Sequence, residues 1–264
     1  MALEIVVCVK HTPSSTSVPV DPATGQVKAD SLPHELNPFD AYAVEEALRI
    51  KEKVAGSKVT ALTFGKQTTE GALRDALALG CDEAVLVSDP SFEGSDHNAA
   101  AYLLAQAVKK LSGTKLVMFG KQTNDGESGL MAGQVGAWLD WPSAAGVKKV
   151  AAVDDSAITV ERLMEDGTDT VKLKLPAALA VTKEINEPRL PSLKGKMSAK
   201  KAVIPKWGPA ELSADAAKVG ANSPTATAKV APVPSRPSGV VIAGGSPEEK
   251  AHNLVEKLKE AKLI

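Results

Sequence analysis

The chemically most suggestive part of this 264-residue chain is the segment 120–129, whose sequence is GKQTNDGESG. It follows a short apolar run at 116–119 and precedes a helix-like segment, an arrangement in which backbone N–H groups and the helix dipole favour a phosphate. Its glycines allow the backbone to approach an anion closely, and Ser128 supplies a hydroxyl donor. Because the segment matches neither the P-loop nor the dinucleotide-binding fingerprint, a phosphate-binding loop and an ordinary tight loop are both open interpretations.

A second segment, LNPFD at 36–40, is predicted to lie at the carboxyl side of the first strand and to reach the same crevice. There the amide of Asn37 could read an adenine edge, and Pro38 and Phe39 could form an apolar wall. A turn that begins a helix is the simpler interpretation of the same residues.

A third segment, 184–201, places apolar side chains in a proline-flanked, lysine-rich surround. Leu190, Leu193 and Met197 could anchor a transient partner in a pocket while the lysines steer an acidic surface. The simpler interpretation is a solvated basic loop whose leucines fold back onto the body of the protein.

The composition restricts the functional classes. The formal net charge of −1 provides no global field for nucleic acid, and no apolar run reaches the ~18 to 20 residues of a membrane span, so we expect neither nucleic-acid binding nor membrane insertion. Cys8 and Cys81 form no disulfide framework, which indicates a reducing, cytoplasmic location. The histidines are not spaced as metal ligands and no nucleophile motif occurs, so we expect neither a metal site nor a self-contained enzyme.

Alternating segments must position these residues. Short apolar runs predict strands at 4–9, 58–64, 83–88 and 116–119. Amphipathic segments predict helices at 40–53, 68–79, 96–111 and up to residue 139. This alternation predicts a doubly wound α/β fold, in which a mostly parallel sheet carries helices on both faces and binds ligands beyond the carboxyl ends of its strands.

After Pro142 the intervening helices disappear. Because strands without crossover helices usually pair with reversed direction, we expect antiparallel additions to the sheet. These strands are predicted at 147–153, 158–163, 170–175 and 177–182.

The C-terminal third has little periodicity. Between 186 and about 237, regular elements are expected to be broken by Pro188, Pro191, Pro205 and Pro209. The stretch 223–238 is interpreted as an extended arm, which either lies on a partner or is a disordered linker. A last helix is predicted from the Ser-Pro-Glu-Glu signature at 246–249 to about residue 262.

Together these segments resemble the electron transfer flavoprotein beta-subunit family over essentially the whole chain. The resemblance is carried by VVCVKHT at 6–12, LNPFDAYAVEEALRIKE at 36–52, ALRDALALGCDEAVLV at 72–87, GKQTNDGESG at 120–129, LDWP at 139–142 and EINEPRLPSLKGKMSAKK at 184–201. It implies an adenine-nucleotide-binding, Rossmann-like fold, a partner alpha subunit that holds the redox-active FAD, and an AMP without redox function in this subunit. It also implies electron transfer from flavin dehydrogenases, such as acyl-CoA dehydrogenases, to a quinone-linked oxidoreductase, with no catalytic residue in this chain.

The resemblance further implies site residues. Its AMP pocket maps onto Cys8, Asn37, Pro38, Phe39, Asp40, Phe64, Gly120, Lys121, Gln122, Thr123, Asn124, Asp125, Gly126, Glu127, Ser128, Gly129, Leu130 and Met131. Its partner-recognition loop maps onto Arg189, Leu190, Pro191, Ser192, Leu193, Lys194, Gly195, Lys196, Met197 and Ser198, with Leu193 as the anchor. The implied division of the chain is a nucleotide-binding domain at 1–185, a recognition loop and basic segment at 186–206, and a C-terminal arm and helix at 207–264 that pack on the partner subunit.

Departures from the family pattern bear on the cofactor. The tetrapeptide at 130–133 (LMAG) stands where many relatives carry Gln-Val-Gly-Pro, which weakens a side-chain contact to phosphate at Leu130. Ser14-Ser15-Thr16 stands where some relatives place a tyrosine beside the flavin, and DPATGQV at 21–27 resembles bifurcating members. In those members a second FAD replaces AMP and NADH supplies the electrons. We expect AMP, with a second FAD as the first alternative and a nucleotide-sensing module of the universal-stress type as another.

Overall fold

The computed structural model describes residues 2–15, 18–21, 24, 27, 32–228, 230–231 and 238–264. Parts of the stretches 14–16, 21–27 and 223–238 therefore lie outside the described residues. The chain divides into two compact units, Met1–Val230 and Ala231–Ile264. Among the described residues, no helix has the length and apolar character needed to cross a membrane.

The first unit is built on a mostly parallel sheet. Its strands are β1 (Glu4–Cys8), β2 (His11–Pro13), β3 (His34–Leu36), β4 (Lys58–Phe64), β5 (Glu83–Val87), β6 (Thr114–Gly120), β7 (Ser143–Val153), β8 (Ala157–Leu163), β9 (Thr168–Lys174), β10 (Ala177–Val181) and β11 (Lys206–Trp207). Within the described part of the chain, the main sheet has the order β11–β5–β4–β1–β6–β10–β7–β8–β9, and β2 pairs with β3 as a separate antiparallel ribbon.

Local signals begin and end the helices. These are α1 (Pro38–Lys53), α2 (Glu70–Leu79), α3 (His97–Lys110), α4 (Met131–Leu139), α5 (Leu193–Lys201), α6 (Pro209–Leu212) and, in the second unit, α7 (Pro247–Glu260). Gly80, with φ 128°, ends α2, while Asp96 and Ser246 cap α3 and α7 with their side chains. The predicted helices are thereby confirmed, with ends that differ by one or two residues.

Helices cover the sheet on both faces. Ile5 and Val7 of β1 are buried in one cluster with α1 and α2, whereas Val6 and Cys8 are buried in another with α3 and α4. Successive residues of a strand point to opposite faces, so a strand that is apolar throughout requires cover on both sides. The predicted doubly wound α/β fold is therefore confirmed.

The strands after β6 follow the prediction only in part. β8 and β9 extend the sheet in antiparallel fashion beyond β7, as expected. The expectation was wrong for β10, which lies between β6 and β7 and is parallel to both. All residues of β10 are buried, which suits a central strand, and the β8–β9 excursion replaces the helix that usually connects parallel neighbours.

The expectation of irregular structure across 186–237 was wrong in part, because α5, β11 and α6 form there. The prolines bound these elements instead of breaking them. Pro209 occupies the first turn of α6, where a missing N–H has no cost. Next to Pro191, Ser192 begins α5 by accepting a hydrogen bond from the N–H of Gly195 at 3.0 Å.

Helix α5 is held by α2, which local periodicity does not reveal. Arg74 of α2 donates from Nη1 to the carbonyl of Ala199 at 2.6 Å, near the last turn of α5. A Cβ atom on Gly195 would collide with the carbonyl of Ala78, so the two helices approach with their backbones almost in contact.

Candidate nucleotide-binding site

A cavity of about 750 Å³ lies beyond the carboxyl ends of β1, β4 and β6. Its volume falls within the ~300 to 1,000 Å³ that is usual for small-molecule sites, and its position is where doubly wound sheets bind ligands. Part of its lining is apolar and comes from Leu62, Phe64, Leu104 and Phe119. The fold therefore brings the predicted loop and a hydrophobic wall to one crevice.

Two thirds of the predicted pocket residues line this cavity. They are Cys8, Asp40, Phe64, Gly120, Lys121, Gln122, Thr123, Gly126, Ser128, Gly129, Leu130 and Met131. The predicted residues that do not line it are Asn37, Pro38, Phe39, Asn124, Asp125 and Glu127. Within this second group, Asn37, Asn124 and Asp125 make contacts that hold the loop.

Asn37 shows this supporting role most clearly. Its side chain is fully buried, with Nδ2 donating to the carbonyl of Gln122 at 2.9 Å and Oδ1 accepting from the N–H of Asn124 at 3.1 Å. The side chain of Asn124 in turn donates to the carbonyl of Pro13 at 3.2 Å. Both ends of the Asn37 amide therefore bind the 120–129 loop, which makes Asn37 a support of that loop.

Asp40 links the start of α1 to the ends of β1 and β6. Its carboxylate accepts from the N–H of Lys10 at 2.8 Å and from the N–H of Gly120 at 3.2 Å. Burial raises the pKa of Asp40 to about 7, although hydrogen bonds from Asn37 and from these two backbone groups oppose the shift. A Cβ atom at Gly120 would lie 2.6 Å from Asp40 Oδ1, so only glycine permits this approach.

An ion pair joins the loop to the end of β1. Lys10 Nζ lies 2.7 Å from Asp125 Oδ2, and Lys10 also lines the cavity. Burial disfavours ionisation of Asp125, but hydrogen bonds from Lys10 and Thr123 outweigh it and lower the pKa of this carboxyl. The pair neutralises a negative charge beside the loop. Sequence reasoning missed Lys10, whose position directly after the first strand was the available signal.

The start of α4 leaves its backbone donors free of side-chain caps. The N-cap residue, Leu130, has no side chain that can accept a hydrogen bond from the first turn. The loop before it turns sharply through positive φ at Glu127 (49°) and Gly129 (63°). Uncapped N–H groups, the positive end of the helix dipole and the Ser128 hydroxyl therefore converge on the cavity, a donor set that suits a phosphate.

A second part of the cavity lining was not anticipated from the sequence. It is formed by residues 94–97 before and at the start of α3, and by residues 225–227. We call residues 220–227 the strap. Its Thr225 donates from both N and Oγ1 to Asp96 Oδ2, at 3.0 and 2.8 Å. The expected arm at 223–238 thus begins on the body of the first unit.

The predicted recognition residues lie together on the surface over α1 and α2. Leu190, Leu193 and Met197 are 91%, 77% and 56% exposed, so the interpretation that these side chains fold back onto the protein is wrong. Residues 193–198 form the first turns of α5, whereas 189–192 precede it. Lys194 and Lys196 lie on the same helix and give the apolar patch a basic surround, and Ser198 lies there as well.

Arg189 acts as a clamp for this segment. Its Nε lies 2.7 Å from Oε2 of Glu45, and its Nη1 lies 2.7 Å from Oε1 of Glu52, both on α1. Burial disfavours ionisation of Glu45, but hydrogen bonds from Arg189 and Arg49 lower the pKa of this carboxyl. The clamp holds the chain at the point where Leu190 and Leu193 become exposed.

Comparison with known proteins identifies the family. The sequence profile of the electron transfer flavoprotein domain matches residues 24–212, more than half of the chain. The chain belongs to the electron transfer flavoprotein family. Subunit CarD of the caffeyl-CoA reductase–Etf complex of Acetobacterium woodii is 36% identical over 263 residues, covering 99% of this chain and 100% of that protein.

Two further relatives also match almost the whole chain, and the first of them is named as a beta subunit. The electron transfer flavoprotein subunit beta of Megasphaera elsdenii is 35% identical over 271 residues, covering 99% of this chain and 100% of the relative. Protein FixA of Sinorhizobium fredii is 36% identical over 249 residues, covering 91% and 87%. The resemblance to the beta subunit of electron transfer flavoproteins is confirmed, and with it a role in electron transport alongside an alpha subunit. The universal-stress alternative is set aside.

Proposed function

We propose that this chain is the beta subunit of a heterodimeric electron transfer flavoprotein and binds AMP in the cavity. The observation that carries the proposal is the uncapped start of α4, which meets Ser128 and the 120–129 loop beyond the carboxyl ends of the central strands. The FAD belongs to the alpha subunit, which accepts electrons from flavin dehydrogenases such as acyl-CoA dehydrogenases. The electrons then pass to a quinone-linked oxidoreductase.

The residues present fit an adenine nucleotide. The phosphate binds the N–H groups at the start of α4 and the Ser128 hydroxyl, because these N–H groups have no side-chain cap and lie at the positive end of the helix dipole. The adenine is placed against the apolar wall that includes Phe64 and Phe119. Lys10 offsets the charge of Asp125, so the loop presents little negative charge to an anion. AMP in this role has no redox chemistry and serves to order the loop.

A second candidate is a bifurcating flavoprotein that oxidises NADH and holds a second FAD in place of AMP. The similarity to CarD, whose name assigns that relative to a caffeyl-CoA reductase–Etf complex, favours it. The cavity also continues past α4 to residues 94–97 and 225–227, which leaves room beyond a mononucleotide phosphate. A dinucleotide would place its first phosphate at α4 in the same way.

The deciding experiment is a count of released nucleotides. The chain is co-purified with its alpha subunit, the heterodimer is denatured, and the nucleotides in the supernatant are quantified by chromatography. One FAD and one AMP per heterodimer is the expected result. Two FAD without AMP would replace the first proposal by the bifurcating one, and release of the alpha-subunit FAD alone would contradict a nucleotide site in this chain.

We further propose that residues 189–198 recognise the electron-donating dehydrogenase, with Leu193 as the anchor. Weak, brief contacts suit an electron carrier, and one exposed leucine among lysines can supply them. Within this division of roles, residues 1–185 bind the nucleotide, 186–206 recognise the dehydrogenase, and 207–264 pack on the alpha subunit.

Replacement of Leu193 by alanine is expected to raise the apparent KM for the heterodimer by about tenfold in dehydrogenase-coupled reduction assays, because interface anchors contribute ≥ ~1–2 kcal/mol. Val203→Ala is the matched control, since Val203 is 93% exposed but lies outside 189–198. The anchoring role is refuted if the two variants transfer electrons equally well while both retain the thermal stability of the wild-type heterodimer.

A further inference from the structure

The strap is fixed to the first unit by a set of hydrogen bonds at the start of α3. The N–H of Gly220 donates to Ser95 Oγ at 2.9 Å, and the N–H of Asp96 donates to Ser223 Oγ at 3.1 Å. Thr225 adds two donors to Asp96 Oδ2 at 3.0 and 2.8 Å. These contacts join positions more than a hundred residues apart, so the attachment is tertiary.

Asp96 divides its two carboxylate oxygens between two tasks. Oδ1 accepts from the N–H of Ala99 at 2.9 Å and caps α3, while Oδ2 is reserved for Thr225. An asparagine at 96 can keep the cap, but its amide nitrogen cannot accept the hydrogen bond from the N–H of Thr225. The two tasks are therefore separable by a conservative substitution.

Backbone geometry also fits the strap to this place. Gly220 has φ of +60°, and a Cβ atom there would collide with the carbonyl of Ser91. By contrast, the side chains at 225–227 are exposed and bury little apolar surface. Hydrophobic burial does not account for the position of residues 225–227, although these residues line the cavity together with residues 94–97.

We propose that the strap is a wall of the nucleotide site, that Asp96 is the positioning residue that holds it there, and that a bound adenine nucleotide contacts residues 225–227. The inference rests on the proposed function, because it takes the ligand to be the adenine nucleotide whose phosphate lies at α4. It adds a contact on the α3 side of the cavity, supplied by the chain segment that leads toward the C-terminal unit.

The test uses the intact heterodimer after its nucleotides are removed, titrated calorimetrically with AMP and, in parallel, with FAD. For the nucleotide that the wild type binds, Asp96→Asn is expected to raise the Kd by about five- to tenfold, since the charge-assisted bond from the Thr225 N–H is lost and that N–H then faces an amide donor. Thr225→Val, which loses only the hydroxyl donor, is expected to raise it by about threefold. Asp154→Asn is the matched control, because Asp154 also accepts backbone N–H bonds in a turn and does not line the cavity.

Hydrogen exchange measures a further quantity, the protection of the strap amides by the nucleotide, which would not change if the strap had only a structural role. Nucleotide binding is expected to slow exchange at the amides of 225–228 by about tenfold or more in the wild type, and by less in Asp96→Asn. The proposal is overturned if both variants bind within twofold of the wild type and if protection appears at 120–131 but not at 225–228. If the wild-type heterodimer binds neither AMP nor FAD at this cavity, the proposed function itself fails, which is a different result.

Discussion

Helices α3 and α4 begin at the same cavity but present it with opposite electrostatics. They pack side by side on one face of the sheet, with the rings of Tyr102 and Trp138 5.1 Å apart. The start of α3 is closed by the carboxylate of Asp96, whereas α4 begins at Leu130 with no side-chain cap. The positive end of the α3 dipole is therefore offset by the carboxylate of Asp96, whereas the positive end of the α4 dipole remains available to a ligand.

The identity of the N-cap residue therefore decides what the start of each helix can bind. Asp96 converts its helix start into an attachment point for Thr225, since a capping carboxylate has a second oxygen to spare. Leu130 supplies no acceptor, so the donors of α4 need an external partner. The anion site and the strap therefore lie side by side without competing for the same donors.

The largest effect is expected when the loop that leads into α4 is displaced, because the start of α4 then no longer forms a binding site. In Gly120→Ala the new Cβ would lie 2.6 Å from both Asp40 Oδ1 and the carbonyl carbon of Phe39. We expect the free energy of unfolding to fall by about 1–3 kcal/mol and nucleotide binding to be lost, measured by thermal unfolding and calorimetry. Gly167→Ala, where a Cβ has no neighbour within 4 Å, should change stability by less than about 0.5 kcal/mol. Equal behaviour of the two variants would contradict the tight packing around Gly120.

A smaller effect is expected when α4 is given an acidic N-cap like that of α3. In Leu130→Asp a carboxylate stands at the helix start, where its charge opposes an anionic ligand. We expect the Kd for AMP to rise about tenfold, which corresponds to ~1.4 kcal/mol, with no loss of thermal stability. Leu130→Asn introduces a side chain of the same size without charge and should shift the Kd by no more than about threefold. If the aspartate and asparagine variants bind AMP equally, the phosphate does not lie at α4.

The two aspartates that line the cavity, Asp40 and Asp96, have pKa values shifted in opposite directions. Burial opposes ionisation of Asp96, but hydrogen bonds from Ala99 and Thr225 lower its pKa. Burial raises the pKa of Asp40 to about 7, above the ~3.9 of an unfolded chain. Between pH ~3.9 and about 7, Asp40 therefore holds a proton in the folded state that it releases in the unfolded state. The stability that Asp40 contributes is therefore fully present below pH ~4 and is lost as the pH rises through about 7.

Asp40→Asn removes this titration, so its free energy of unfolding should decline less between pH 5 and pH 7.5 than that of the wild type, by a fraction of the full linkage effect. Urea unfolding at both pH values measures the difference. Burial also raises the pKa of Asp75, which contributes with the same sign, and lowers the pKa of His11, which contributes with the opposite sign. The quantity that tests Asp40 is therefore the difference between the wild type and the variant. An unchanged pH dependence in Asp40→Asn would show that Asp40 is ionised throughout this range.

Much of the architecture could be predicted from local patterns. Alternating apolar runs and amphipathic segments predicted β1, β4, β5, β6 and the helices α1 to α4, because each of these strands is buried on both faces and each helix on one. The short ribbon of β2 and β3 was not predicted. Asp96, Gly80 and Ser246 were readable as helix ends, since caps act within three or four residues. The loop at 120–129 was placed correctly because a parallel strand that enters a helix can only end at the ligand-binding edge of the sheet.

Other features depended on contacts between distant parts of the chain. The role of Asn37 emerges only where its amide meets Asn124, 87 positions away, and the strap only where Thr225 meets Asp96, 129 positions away. Helix α5 is bound to α2 through Arg74, and β10 pairs in parallel with both β6 and β7. Periodicity and capping depend on residues a few positions apart, so they can be recognised in the sequence. Which polar groups satisfy one another, and which remain free for a ligand, is settled when the packed core fixes the distances between them.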